Sequence, residues 1–181
     1  MDYELIRSER KSLALQLKPD GSLLVRAPRR MALRSIERFV REHWDWVERQ
    51  REKRAARPAV ESMTAEELAA LKRKARPVFL ARAAYYAPLV GVRYERLTVR
   101  SQRSKWGSCS AKGGLNFNCL LLLAPPAVLD YVVVHELCHL LEMNHSPRFW
   151  AEVRRILPDY ESSRKWLRRN GESLMAHLPQ A

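Results

Sequence analysis

Cysteine is scarce in this sequence: Cys109, Cys119 and Cys138 are the only three. An odd number excludes a fully paired disulfide framework. No charged-then-apolar leader precedes them, because Asp2, Glu4 and Arg7 interrupt the start, so no secretory signal is expected. The thiols are read as reduced, in a cytoplasmic protein. Long hydrophobic runs are lacking too. The most apolar stretch, Cys119 to Val134, is broken by Pro125, Pro126 and Asp130 and falls short of the ~20 residues a membrane span needs. No internal repeat occurs. Acid is in short supply: 20 Asp and Glu face 33 Lys and Arg, a formal charge of +13. Such a field attracts phosphates, nucleic acid or acidic substrates without choosing among them, and much of it can equally be solvated surface.

What is present is ordinary globular material. Hydrophobic residues make up 46% of the 181 positions and charged residues 29%, enough for one compact domain with a core. Leu13, Leu15 and Leu17 alternate, as do Leu24 and Arg26, and Pro19-Asp20-Gly21-Ser22 lies between them. That pattern predicts a β-hairpin, ended by Pro28. Residues 32–56 predict one long helix with Ile36, Phe39, Val40, Trp44 and Val47 as its apolar stripe. The cluster Arg29, Arg30, Arg34, Arg38 and Arg41 near its start reads either as salt-bridged surface or as a phosphate-binding face. A linker from Pro58 to Met63 follows. Thr64 and Glu67 fit a capping box for a helix to about Tyr86 that Pro77 should kink or split, with Gly91 closing the segment.

Leu97 to Arg100 predicts a strand, 101–114 a loop, and Leu115 to Leu122 a second strand, read as an edge for an extended substrate with an internal strand as the alternative. Pro125 and Pro126 open a helix expected to reach Met143. Ser146-Pro147 starts another, and Ser162 to Arg169 predicts a last one.

The chemistry concentrates in His135-Glu136-Leu137-Cys138-His139. Four residues advance a helix by slightly more than one turn, so the two imidazoles leave one face and can hold one metal ion. Glu136 is placed to take a proton from a metal-activated water. The helix around the motif is apolar (Val132, Val133, Val134, Leu137, Leu140, Leu141), and buried polar groups need partners. His145 is the expected third ligand, in a corner where Asn144 ends the helix in a left-handed turn; Glu142, three residues after His139, is the runner-up. Zinc suits this donor set, though another divalent metal would also serve. A structural zinc would want four protein ligands, usually with thiolates, and Cys138 points off the metal face. The cationic loop holding Arg103, Lys105 and Trp106 is expected to contact substrate, as are Asn116 and Asn118 on the following strand. Trp106 packed on the core is the alternative.

These residues also resemble a known family. Arg103-Ser104-Lys105-Trp106-Gly107-Ser108-Cys109, Asn118, Tyr131 to His139, Asn144-His145-Ser146 and Phe149-Trp150 resemble the YgjP-like family of bacterial metal-dependent hydrolases, which is similar to the SprT and WLM metallopeptidases and to minimal zincins. Ser12 to Leu15, Asp20-Gly21, Val25 to Pro28 and Trp46 extend the likeness over almost the whole chain. The resemblance implies an α+β fold: a zincin-like core with a small β-sheet and active-site helix, preceded by an N-terminal β-hairpin and long helices. It implies one domain over 1–181, with hairpin and helix in 1–58 and the catalytic core in 64–181. It implies His135, His139 and His145 as zinc ligands and Glu136 as the base of a metallopeptidase. The alternatives are a nucleoside triphosphate phosphohydrolase, whose substrate the Arg/Lys loop would hold and Trp106 would stack, and a nucleic-acid-binding module with a structural metal. Peptide or nucleotide is therefore the expected substrate class, with no membrane partner; the oligomeric state is left open.

Overall fold

The computed structural model describes residues 2–18, 20–55 and 60–179, with backbone alone at 54. Pro19 of the expected turn, residue 56 of the expected first helix and residues 58–59 of the expected linker lie outside the described residues. The chain divides into two compact units, Met1–Ala59 and Val60–Ala181. The architecture is α+β, as the resemblance implied.

In the first unit the hairpin forms. Strand β2 (Ala14–Leu17) pairs antiparallel with β3 (Leu23–Pro28). Their turn is closed by Lys18 N–H donating to Ser22 O at 2.9 Å, and Gly21 takes the positive φ of 84° that the turn requires. A strand not anticipated, β1 (Glu4–Ser8), pairs parallel with the other side of β3. Central in its sheet, β3 buries Leu23, Val25 and Ala27 against Ile36, Val40 and Val47.

The expected single helix is two, α1 (Leu33–Glu42) and α2 (Trp44–Ala55). His43 causes the break. Its Nδ1 donates to the Phe39 carbonyl at 2.9 Å while its own N–H bifurcates to Phe39 O and Val40 O. A side chain competing for a helical carbonyl in this way offers the backbone an exit.

The second unit opens on the capping box. Thr64 Oγ1 accepts from Glu67 N–H at 3.2 Å, and the Glu67 carboxylate accepts from Thr64 N–H at 2.8 Å. Helix α3 (Ala65–Val90) then runs as one element through Pro77 and Pro88. The expected split at Pro77 does not occur: the helix buries Ala75, Phe79, Ala83, Tyr86, Ala87 and Val90, and that packing outweighs one lost backbone bond. Gly91, at φ 84°, caps it.

Strands β4 (Arg96–Arg100), β5 (Gly107–Cys109) and β6 (Gly114–Asn118) form a sheet in the order β4-β6-β5. This corrects two expectations. The strand expected to reach Leu122 stops at Asn118, whose Oδ1 accepts from Leu120 N–H at 3.1 Å and caps a 3-10 turn over Cys119–Leu123. It is also the central strand, not an edge; the edges are β4 and β5, the latter inside the expected loop. Phe117 stacks on Phe79 of α3 at 4.8 Å and binds the sheet to that helix.

Helix α4 (Pro126–Cys138) is buried on nearly every side, as a central helix must be. It is tied to α3 by Asp130, which accepts from Arg82 Nε at 2.6 Å, from a second Arg82 nitrogen, and from the Tyr86 hydroxyl at 3.2 Å. Asp130→Ala removes charge-assisted bonds and strands the Arg82 guanidinium. The expected loss is about 2–3 kcal/mol of unfolding free energy in urea, with a smaller loss for Asp130→Asn.

The end of α4 comes earlier than expected, at Cys138 rather than Met143. The chain there tightens through bonds from Leu140 N–H to Leu137 O and from Leu141 N–H to Cys138 O, each 3.0 Å. Among the described residues only glycines have positive φ, so Asn144 does not take the left-handed turn expected of it. Helix α5 (Pro147–Ile156) starts as expected, with Ser146 Oγ accepting from Phe149 N–H at 3.3 Å. Helix α6 (Tyr160–Met175) extends well past the expected Ser162 to Arg169 and docks on α4 through Ser163 Oγ and Ala127 O at 3.2 Å. No helix among the described residues is long and apolar enough to cross a membrane.

Candidate metal centre

His135 stands on α4 and His139, one turn on, is the residue that caps its C-terminus; their rings lie edge to face at 4.8 Å. The tight turn after Cys138 carries the chain back, and His145, one residue before the Ser146 cap, brings its ring to 4.9 Å from His135 and 4.7 Å from His139. One potential ligand atom from each of the three lies within 4.8 Å of the others. The structure thus brings these three side chains together. Glu142 takes a different position: its backbone carbonyl accepts from His139 Nδ1 at 3.1 Å. That bond fixes the proton on Nδ1 and leaves Nε2 with a bare lone pair, the form that ligates metal.

The donor set fits a divalent cation. Nε2 of His145 lies 3.0 Å from Nε2 of His135. At that distance one ring's N–H can donate to the other, and with both Nε2 atoms bare the two lone pairs face a single cation. Nδ1 of His135 is buried with no hydrogen-bond partner among the described residues, unlike a core histidine whose polar atoms are satisfied by protein. Burial, and then the neighbouring His139, His145 and Arg164, push His135 down to about 3; burial also lowers His139. The rings of His135 and His139 are thus held neutral.

What seats these rings is aromatic. Phe149, fully buried, has its ring centroid 4.8, 4.5 and 4.8 Å from those of His135, His139 and His145. Ser146 and Pro147 place it at the third position of α5. Trp150 stacks on His145 at 5.6 Å and on Tyr160 at 5.4 Å, and Tyr131 meets His135 edge-on at 5.7 Å. Phe149→Ala would open a cavity under all three imidazoles. It should cost about 3–5 kcal/mol of stability and weaken the binding of an added divalent cation, read by urea unfolding and by competition with a chelating indicator.

Glu136 follows His135 on α4 and is only 5% exposed. Burial pushes its carboxyl up to about 8, opposed by the charge of Lys105. Among the described residues it has no hydrogen-bond partner. Burial, and then the charge of Glu136, push the Cys109 thiol up to about 11, and burial pushes Cys138 up to about 12; all three cysteines are unpaired.

The expected substrate-binding residues scatter. Lys105 is exposed, with its charge felt by Glu136. Arg103 instead donates to the Pro179 carbonyl. Trp106 is half-buried and packs on the core, against Gly171 of α6. Asn116 accepts from Arg100 Nε at 3.1 Å and donates to Ser108 Oγ at 3.2 Å. Asn118 Nδ2 donates to Gln102 O at 2.7 Å and Lys105 O at 3.0 Å, tying down the loop.

Sequence reasoning gave no role to Phe149, Trp150, Tyr131 or Arg164. The Phe-Trp pair, four and five residues after His145 on the next helix, was the available signal. Arg164 had none: it reaches the site from α6, its guanidinium 4.6 Å over the Trp150 ring.

No curated protein matches the chain significantly. The crystal structure of the metallopeptidase zymogen of Pyrococcus abyssi abylysin is similar at a TM-score of 0.47 and 21% identity, covering 56% of this chain and 99% of that one. A family model described as YgjP-like, metallopeptidase domain, matches residues 11–70 and 61–170. These matched segments run through most of both units, and the chain belongs to the YgjP-like metallopeptidase-domain family.

Proposed function

We propose that the protein is a zinc-dependent peptidase in which His135, His139 and His145 hold the metal and Glu136 serves as the base. The observation that carries this is the convergence of three imidazoles beside a buried carboxyl. A zinc ion bound by such a set lowers the pKa of water toward 7 and polarises a carbonyl. The protein's own groups do the rest. His139 is kept in the ligating tautomer by the Glu142 carbonyl. The Glu136 carboxylate takes a proton from the attacking water and gives it to the leaving amine. Because burial raises its pKa toward the working range, it is suited to both halves of that transfer. Edge strand β5, which packs on α4, offers unpaired backbone to an extended peptide. Lys105 and Arg164, each without an ion pair among the described residues, supply positive charge for a developing oxyanion.

The same two cations favour a second reading, hydrolysis of a nucleotide phosphoanhydride at the same centre. Zinc-loaded protein assayed against a peptide library and a nucleotide panel separates the two. Cleaved peptides are expected. Phosphate release with every peptide intact would replace the first reading by the second.

A further inference from the structure

Gly107 lies where β5 crosses the active-site helix. A methyl group built there would sit 2.6 Å from Glu136 Oε1, 2.7 Å from its Cγ and 2.9 Å from its carboxyl carbon. These approaches are far inside van der Waals contact. The glycine is not required by its backbone, since among the described residues only Gly21, Gly91 and Gly113 have positive φ. It is required by room. Glu136 has no hydrogen bond among the described residues to aim its carboxylate, and the contact with Gly107 of β5 bounds where it can lie.

The strand that does this packing is itself held. Gly107 pairs with Phe117 of β6. The loop before it is fixed by Asn118, whose side chain binds the Gln102 and Lys105 carbonyls and whose N–H donates to Trp106 O at 2.8 Å. Trp106 in turn lies so near α6 that a Cβ at Gly171 would come within 3.1 Å of its ring. Trp106, Gly107 and Asn118 thus form one device that bears on Glu136.

We propose that Gly107 is a positioning residue: the absence of a side chain at this point of a clamped edge strand sets the place of the Glu136 carboxylate. This rests on the reading of Glu136 as the base. Any side chain at 107 displaces the carboxylate, because the colliding atoms belong to a side chain that can swing while the backbone stays.

The test is Gly107→Ala in the full-length zinc-loaded protein, alone and with Glu136→Ala. The single variant should lose about 10²-fold in kcat, the scale of an ångström's misplacement, with KM and zinc stoichiometry unchanged. Its thermal midpoint should fall in the wild-type background and not in the Glu136→Ala background, where nothing remains to collide. If the single variant does not fold, the double variant should. Wild-type kcat, an equal thermal penalty in both backgrounds, or a double variant that also fails to fold would overturn the proposal. Glu136→Gln turning over at the wild-type rate would bring down the base assignment instead, and an intact thermal coupling beside it would mark which of the two had failed.

Discussion

Glu136→Gln should retain one zinc per chain and lose about 10²–10⁴-fold in kcat, the usual contribution of a positioned acid–base group. The amide fills the same volume but cannot take a proton. Burial already favours the neutral form of this side chain, so the neutral amide should leave the thermal midpoint of the metal-free protein where it was. KM should change by no more than a few-fold, because the group acts on the reacting water and not on the bound substrate. Steady-state kinetics beside elemental analysis check both halves. A variant with wild-type kcat places the base elsewhere.

His145→Ala should weaken zinc binding by about two orders of magnitude or more, since each ligand of a comparable site contributes roughly 3 kcal/mol or more. Glu142→Ala should change it little, because Glu142 serves the site through its backbone carbonyl, which alanine also carries. Competition titration against a chromophoric chelator reads both affinities. The reverse order would make Glu142 the ligand and His145 a bystander. The contrast matters because the sequence offered both residues, His145 from its corner and Glu142 from its helical spacing to His139. Helix α4 ends at Cys138, so Glu142 is no longer one helical turn above His139, and the turn brings forward His145 instead.

The legible part of the site was its local part. His135 and Glu136 lie on α4 and His139 caps it with helical backbone, so spacing fixes direction, and Ser146-Pro147 announced the next helix and hence the corner that holds His145. The illegible part depends on other segments of the chain. That β5 crosses Glu136 at Gly107, or that Arg164 arrives from α6, follows from tertiary packing that no local pattern encodes. The fold shows the same division. The hairpin, the Thr64 capping box and the Ser146 cap were readable because each is a contact within a few residues. Three features were not. Pro77 stays inside α3 because buried Ala75, Phe79 and Ala83 hold the helix around it. β6 stops at Asn118 because that side chain caps a 3-10 turn. β1 escaped notice because Glu4–Ser8 has mostly exposed positions and draws its partner from residues 24–28.

Zinc K-edge absorption spectroscopy on the zinc-loaded protein tests the central claim most directly. The account predicts a first shell of three imidazole nitrogens at about 2.0–2.1 Å with oxygen in the remaining position. A sulfur shell at about 2.3 Å, which would bring in Cys109 or Cys138, or a spectrum without imidazole scattering, would contradict it.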